Sequence, residues 1–293
     1  MTIPEAKTIV ENYYQKNGNN TEEECFLLTE ALSFLIHETN NSRYMVQLGG
    51  FYYYQNNYEL ALKYYTMAAE LGNESAVIGL GYIWYYGRTG IVDYEKAYKY
   101  FSKVEGDPVA DYKLADMYHH GYYVEKNEEK YKEIIEKLYD LYRNTRYVDQ
   151  PLPEICTRLA EIRENDGNKQ EAVNLLLEGK KMLSSRIAYD PFFGNFSIMK
   201  GLINNLYRLK PLNKNKFDLF DLYEVFKQPV KVSFMYKNEC YIIESSVEDD
   251  GTIAVCFLGK WYRSIDDLLM QAKLNDQNIT LIAWRFKDFK IIA

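Results

Sequence analysis

Residues 75–106, SAVIGLGYIWYYGRTGIVDYEKAYKYFSKVEG, decide the fold of this chain. The landmarks of the stretch are Ala76, Leu80-Gly81, Trp84, Gly87, Gly90, Asp93, Lys96-Ala97, Tyr100-Phe101 and Gly106. Similar landmarks recur on both sides of it at a period of about 34 residues, and a period in this range is typical of solenoids built from helix pairs. We therefore predict stacked helical hairpins.

The units align on a leucine in the first helix and a small residue in the second. The leucines are Leu48, Leu80, Leu114 and Leu159, and their second-helix partners are Ala61, Ala97, Tyr131 and Ala172. The two positions are 13 residues apart in the first and fourth units and 17 apart in the second and third. The middle units therefore have longer loops between their helices, and the bulky Tyr131 predicts shifted packing in the third unit.

The second helix of the best-defined unit has one apolar face. In KAYKYFSKV, the residues Ala97, Tyr100, Phe101 and Val104 recur at intervals of three and four, which is the stripe of a helix packed on one side. A single helix pair cannot bury such a stripe on both sides, so neighbouring units are expected to stack.

The two long-loop units resemble the Sel-one-like repeat. The second unit has Leu80-Gly81, an aromatic residue three positions before Gly87 and Asp93-x-x-Lys96-Ala97, and the third matches at Ala110, Leu114, Tyr118, Gly121, Val124, Asn127 and Lys130. The third unit departs from this pattern at Asn127, where aspartate is usual. The short-loop units resemble ordinary tetratricopeptide repeats, and the resemblance extends over about residues 42–183. It implies an α/α superhelix with a concave groove lined by the first helices, and a role as an adaptor or scaffold. It implies no reaction.

Three regions are predicted along the chain, which gives an α+β protein overall. Residues 1–41 form N-terminal capping helices, with Thr21 and Glu24 as a capping box, and residues 42–210 form the solenoid. Residues 217–293 form a small α+β domain, because VKVSFMY, CYIIESS and TIAVCFL are β-rich runs separated by turns, as in an antiparallel sheet. Residues 279–286 fit either a helix or a strand, and no family resemblance is evident in this region.

Composition excludes several classes of function. The net charge of −7 and the pI near 5.3 argue against a nucleic-acid-binding face, which needs clustered basic residues. No apolar window suggests a membrane span or a secretory signal. The four cysteines are scattered, which is typical of free thiols in a reducing cytoplasm, and Cys240 with Cys256 is the one pair worth checking for a disulfide.

Residues suited to catalysis or metal binding are few. The histidines are His37, His119 and His120, and adjacent helical residues point about 100° apart, which does not favour joint chelation. The acidic run Glu248-Asp249-Asp250 before Gly251 is typical of a β-turn. We predict no catalytic residue, no metal and no cofactor.

The groove is the predicted binding site. In the tetratricopeptide register, first-helix positions two before the anchor leucine and two, five and six after it face the concave side. These positions hold Val46, Gly50, Tyr53, Tyr54, Ile78, Tyr82, Tyr85, Tyr86, Tyr112, Asp116, His119, His120, Glu161 and Glu164. This surface runs from aromatic to acidic and polar, and it suits a peptide with apolar anchors and a basic end. The alternative is that half of these tyrosines pack between helices or cover the neighbouring C-terminal domain.

The leading hypothesis is a non-enzymatic, cytoplasmic adaptor or scaffold that binds a protein or peptide in this groove, and an immunity-type inhibitor is a variant of it. One alternative is an enzyme whose C-terminal domain, around Glu244, Asp249, Asp250 and Arg263, acts on recruited cargo. Another is a structural protein that assembles with copies of itself, so homo-oligomerisation stays open.

Overall fold

The computed structural model describes residues 1–16, 20–144, 151–189 and 193–292. Its internal contacts divide the chain into two compact units, Met1–Ile134 and Ile135–Ala293. The helices of the first unit are α1 (Ile3–Gln15), α2 (Glu22–Thr39), α3 (Ser42–Tyr54), α4 (Tyr58–Glu70), α5 (Glu74–Tyr85), α6 (Tyr94–Phe101), a 3-10 turn (Ser102–Val104), α7 (Pro108–His120) and the first half of α8 (Glu128–Tyr142).

Polar caps fix where these helices begin. Thr2 with Glu5 and Thr21 with Glu24 form reciprocal capping boxes, the second as predicted. Asparagine or aspartate residues cap α3 to α7, and each side-chain oxygen accepts a hydrogen bond from a first-turn backbone N–H. The sequence therefore sets the helix register locally, before any packing between helices.

Each helix from α1 to α6 packs on the next one along the chain, which is the arrangement of stacked helical hairpins. The anchor residues Leu48, Leu80 and Leu114 are buried, as are their second-helix partners Ala61 and Ala97. These residues belong to successive apolar clusters that run through the first unit. The predicted α/α solenoid is confirmed.

Glycines in the first helices allow aromatic rings of the second helices to approach the backbone. The ring of Tyr65 lies between Gly49 and Gly79, and a Cβ at either glycine would come within 2.8 Å of a ring carbon. A Cβ at Gly81 would lie 2.5 Å from the fully buried ring of Phe101. The glycines of the Leu-Gly pairs therefore leave the space that these rings need to pack against the first helices.

The second unit begins within α8 and combines helices with a sheet. Its elements after α8 are α9 (Leu152–Asn165), α10 (Lys169–Tyr189), α11 (Phe193–Leu209), a 3-10 turn (Leu219–Asp221), α12 (Leu222–Val225), β1 (Lys231–Tyr236), β2 (Glu239–Val247), β3 (Ile253–Phe257), β4 (Lys260–Tyr262), α13 (Ile265–Gln271), β5 (Lys273–Leu274), β6 (Gln277–Asn278), α14 (Ile279–Ile282), a 3-10 turn (Ala283–Arg285) and β7 (Lys287–Ile292).

The main sheet is antiparallel, with strand order β4-β3-β2-β1-β7. The predicted small antiparallel sheet is confirmed, and β4, β5 and β6 were not foreseen. A single apolar core joins the inner face of the sheet to α10 and α11, through side chains such as Phe234, Ile187 and Met199. Helix α14 and β7 resolve the ambiguous tail into a short helix followed by a strand.

The two cysteines considered for a disulfide do not form one. Cys240 lies on β2 opposite Met235 of β1, whereas Cys256 on β3 lies opposite Glu244 of β2. The strands are neighbours, but the register separates the two thiols along them, and both are free. The division into residues 1–41, 42–210 and 217–293 stays a prediction. In the part of the chain that the structure describes, no helix is both long and apolar enough to cross a membrane.

Candidate functional site

A glycine cap at the end of α5 places the Arg88 side chain. Gly87 has a φ of 59°, and a Cβ there would come within 2.8 Å of the Val92 backbone nitrogen, so this position requires glycine. The Arg88 N–H donates to the carbonyl of Ile83 at 2.9 Å, which is the closing bond of a Schellman-type helix end. The chain thereby reverses at Gly87, and Arg88 reaches α3.

The Arg88 guanidinium lies against three tyrosine rings. Its Nε donates to the Tyr53 hydroxyl at 3.1 Å, and its central carbon is 5.7, 5.6 and 5.0 Å from the ring centroids of Tyr53, Tyr58 and Tyr86. Arg88 is exposed, and no other hydrogen-bond or carboxylate partner meets it among the described residues. The two Nη amino groups of the guanidinium are therefore available to a ligand.

A second cation lies within the same group of tyrosines. Lys113 on α7 is only 7% exposed, and its Nζ is between 4.9 and 5.7 Å from four ring centroids, those of Tyr82, Tyr85, Tyr86 and Tyr112. Its Nζ donates to the Tyr86 hydroxyl at 2.8 Å and is 3.4 Å from a carboxylate oxygen of Asp116. The Tyr86 ring is thus shared between Arg88 and Lys113.

A polar cleft continues this face toward the N-terminus, between α1 and α3. It encloses about 650 Å³ and is lined by Lys7, Val10, Glu11, Tyr14, Gln15, Arg43, Tyr44 and Gln47. Neither Lys7 nor Arg43 has a carboxylate within ion-pair distance in the described part of the chain. The buried oxygen of the Gln47 side chain has no hydrogen-bond partner there either. The cleft therefore has two cationic side chains without a carboxylate partner and one side-chain oxygen without a hydrogen-bond donor.

The Tyr65 ring of α4 packs between α3 and α5, at Gly49 and Gly79. Burial raises the pKa of Tyr65 to about 12, with further contributions from the neighbouring hydroxyls of Tyr54, Tyr53 and Tyr14. Tyr54 itself is 86% exposed, and its ring makes an edge-to-face contact with the ring of Tyr53. We call Lys7, Tyr14, Arg43, Tyr53, Tyr54, Tyr86, Arg88 and Lys113 the tyrosine–cation strip.

Two of the predicted groove tyrosines pack largely into the helix pair. Tyr82 and Tyr85 both contact the Phe101 ring, and Tyr85 also contacts Tyr94 and Tyr122. Burial is the main cause that raises the pKa of both hydroxyls. Their rings pack against Tyr86 and Lys113 of the strip. Tyr54 and Tyr86 are the exposed tyrosines of the predicted set.

The other predicted residues of the first unit have mixed surroundings. Val46 and Ile78 are half-buried against the apolar clusters, Tyr112 lies beside Lys113, and Asp116 is buried. Nδ1 of His119 lies 3.0 Å from Glu128, and the His120 ring stacks on Tyr122. In the described ranges, no three histidine, cysteine or acidic side chains are grouped as a metal ion would require.

Glu161 and Glu164 belong to the second unit, whereas the residues of the strip all belong to the first. Glu161 on α9 is exposed. Glu164 accepts two hydrogen bonds from the Arg208 guanidinium, at 2.5 and 2.7 Å, and they hold the pKa of its carboxyl below the usual range. This carboxylate is thus already paired within its own unit.

Both central cations were absent from the sequence-based site. Lys113 lies one residue before the anchor Leu114, and Gln47 occupies the same position before Leu48. The tetratricopeptide register does not assign this position to the groove. Arg88 was overlooked because it lies in the loop after the first helix. The sequence did offer a signal for Arg88, because this cation lies between Gly87 and Gly90 and directly follows a tyrosine-rich helix.

Comparison with known proteins identifies the repeat. The model of the Sel1 repeat family matches residues 43–73, 75–103 and 108–130. Residues 43–130 thus carry three Sel1 repeats, which confirms the predicted Sel1-like helical array. The fourth unit around Leu159 lies outside the matched residues. Sel1 repeats generally mediate protein–protein interactions, which is consistent with an adaptor or scaffold.

The solved structures that are similar to the chain include two repeat proteins. A Sel1 repeat protein from Oxalobacter formigenes is 17% identical with a TM-score of 0.46, over 71% of this chain and 92% of that one. A protective antigen present in uropathogenic Escherichia coli strains, which displays an SLR fold, is 15% identical with a TM-score of 0.48. The match covers 71% of this chain and 49% of the antigen. No curated protein matches the sequence.

Proposed function

We propose that the chain is a non-enzymatic adaptor or scaffold that binds a protein or peptide segment along the first helices of its repeats. The observation that carries this proposal is the tyrosine–cation strip, which runs from α1 through α3 and the end of α5 to α7. Tyr54 and Tyr86 are 86% and 43% exposed within it. Exposed tyrosines give a large contact area at a low cost in conformational entropy, which is why they are enriched at interfaces.

The proposed site of action is the cytoplasm. All four cysteines are unpaired, and Cys240 is exposed. An exposed free thiol favours a reducing compartment, because an oxidising one would convert it to a disulfide or another oxidised form. The Sel1 repeats support a protein partner, and the strip supports a partner segment of extended shape.

Site-specific photo-cross-linking tests the binding face. A photoreactive phenylalanine analogue would replace Tyr54 or Tyr86 in the full chain, and the control would carry it at Phe26. This residue of α2 is also aromatic and exposed, and it lies outside the strip. After irradiation in an extract of the producing cells, we expect one protein cross-linked from both strip positions and absent from the control.

Two outcomes would contradict the proposal. The first is a set of cross-linked proteins that is the same at all three positions, which would indicate non-specific contact. The second is a partner that cross-links from Phe26 alone, which would place the binding surface on the second helices.

A further inference from the structure

We propose that the partner segment is acidic, with a carboxylate that binds the two Nη groups of Arg88 and a neighbouring apolar residue that packs on Tyr54. This inference rests on the proposed function and adds the chemistry of the partner. It reverses the expectation from the sequence, which favoured a partner with a basic end.

The first reason is that the chain's own cations already occupy the tyrosine faces. Tyr53, Tyr58 and Tyr86 face Arg88, and Tyr82, Tyr85 and Tyr112 face Lys113. A basic side chain of a partner would have to displace one of these cations to reach the same rings, and both charges would repel it. An aromatic groove filled in this way is unsuited to lysine or arginine.

The second reason is the state of the Arg88 guanidinium. Its Nε donates to the Tyr53 hydroxyl at 3.1 Å, which ties the group to one of the rings that it lies over. The outer edge then presents two parallel N–H donors, the geometry that pairs with both oxygens of a carboxylate. Little side-chain entropy remains to be lost on binding, because the arginine is already held in place.

The third reason is the charge of the neighbouring cleft. Lys7 and Arg43 line it without an ion-pair partner among the described residues, and Glu11 is the one acidic residue of its lining. Around Arg88, Glu59 lines the same shallow surface but does not pair with it. The strip has four cationic side chains, those of Lys7, Arg43, Arg88 and Lys113. The acidic side chains beside them are Glu11, Glu59 and Asp116. The strip is therefore more positive than the chain as a whole, whose net charge is −7.

These charges give the partner two acidic positions. One carboxylate binds Arg88, and a second binds in the cleft near Arg43 and Lys7. The exposed ring of Tyr54 contacts Tyr53, beside Arg88, and it follows Gln47 of the cleft by about two turns of α3, so it lies on the same helix face as the cleft. An apolar or aromatic residue between two acidic ones fits this order of surfaces.

An unbiased peptide display selection against the full chain tests the inference. We expect aspartate and glutamate to be enriched in the selected peptides, next to an apolar residue, and lysine and arginine to be depleted. The best peptide is then measured by fluorescence anisotropy. Arg88→Gln should weaken its binding about tenfold or more, as expected for the loss of a hydrogen-bonded charge pair.

Matched variants separate charge from folding. Arg88→Lys keeps the charge without the fork and should retain more affinity than Arg88→Gln. Lys103→Gln removes another exposed cation that lies on a tyrosine ring, 5.2 Å from the Tyr100 centroid and outside the strip, and should change binding less than about twofold. Circular dichroism confirms that each variant is folded.

Several outcomes would overturn the inference. Enrichment of basic residues, no enriched peptide at all, or equal binding by wild type and Arg88→Gln would each do so. If peptides bind and Tyr54→Ala abolishes binding while Arg88→Gln does not, the binding face stands and the acidic partner is wrong. A mixed-sequence single-stranded oligonucleotide that binds through Arg88 more tightly than any peptide would assign the face to a nucleic acid instead. The same cross-linked proteins at Tyr54, Tyr86 and Phe26, or cross-linking from Phe26 alone, would separately refute the proposed function.

Discussion

Alanine at Gly49 and at Gly50 should change stability in opposite directions. Both residues lie inside α3, so each substitution gains about 0.5–1 kcal/mol from helix propensity. At Gly50 the new Cβ would meet only the Tyr65 hydroxyl, at 3.6 Å, which is an ordinary contact. At Gly49 it would lie 2.8 Å from Cδ1 of the same ring, which is too close for any real Cβ.

The Tyr65 ring cannot move away from Gly49, because Gly79 lies at its opposite edge. A Cβ at Gly79 would also be 2.8 Å from a ring carbon, which shows how tightly the second edge is held. Overpacking typically costs about 1–3 kcal/mol, and a ring held on both edges belongs at the upper end. After subtraction of the helix gain, Gly49→Ala should destabilise the first unit by about 2 kcal/mol. Gly50→Ala should stabilise it by about 0.5–1 kcal/mol.

Urea unfolding followed by Trp84 fluorescence measures this difference. With Trp261 and Trp284 replaced by phenylalanine, Trp84 is the one tryptophan left of three, and it reports on the first unit alone. A loss of about 2 kcal/mol lowers the urea midpoint by roughly 1 M. The penalty at Gly49 should also shrink in a Tyr65→Leu background. Equal shifts for the two alanine variants would refute the account of the Leu-Gly pairs.

Three further predictions concern charged groups and thiols. Lys113→Met should destabilise the first unit by about 3 kcal/mol in the same assay, since it removes a buried cation from its carboxylate partner; an unchanged midpoint would contradict this. Because Arg208 lowers the pKa of Glu164, their pair stabilises the second unit above the unfolded-state pKa and is lost as pH falls. Arg208→Gln should flatten that acid limb, by less than about 1 kcal/mol, and an unaltered pH profile of stability would argue against it. A thiol reagent should modify exposed Cys240 first and buried Cys156, whose pKa is raised by burial, only after unfolding.

The repeat architecture was predictable because it depends on local patterns. Leu80-Gly81 fixes a close helix contact, and Asp93 caps the following helix, so both act within a few residues of their place in the sequence. The β-rich runs likewise predict strands by alternation. The short strand β4 was not predicted, because three residues are too few to show an alternating pattern. It pairs with β3, which lies directly before it across a tight turn.

Less of the candidate site than of the fold could be predicted from the sequence, because its side-chain partners come from different repeats. A register derived from spacing places Tyr53 and Tyr86 on one face, but it does not foresee that Arg88 bridges them or that Lys113 fills the space beside Tyr86. The hydrogen bonds from Arg88 to Tyr53 and from Lys113 to Tyr86 join residues that are 35 and 27 positions apart. They depend on how neighbouring hairpins stack, which no single repeat encodes.

Hydrogen–deuterium exchange tests the central claim most directly. Exchange is measured for the chain alone and for the chain bound to the partner that cross-linking identifies. If the partner binds along the first helices, slower exchange should appear in α1, α3, α5 and α7 and at the loop that carries Arg88. Exchange in α2 and α6 and in the sheet of the second unit should be unchanged. Protection confined to the second helices or to the sheet would contradict the claim that the tyrosine–cation strip is the binding surface.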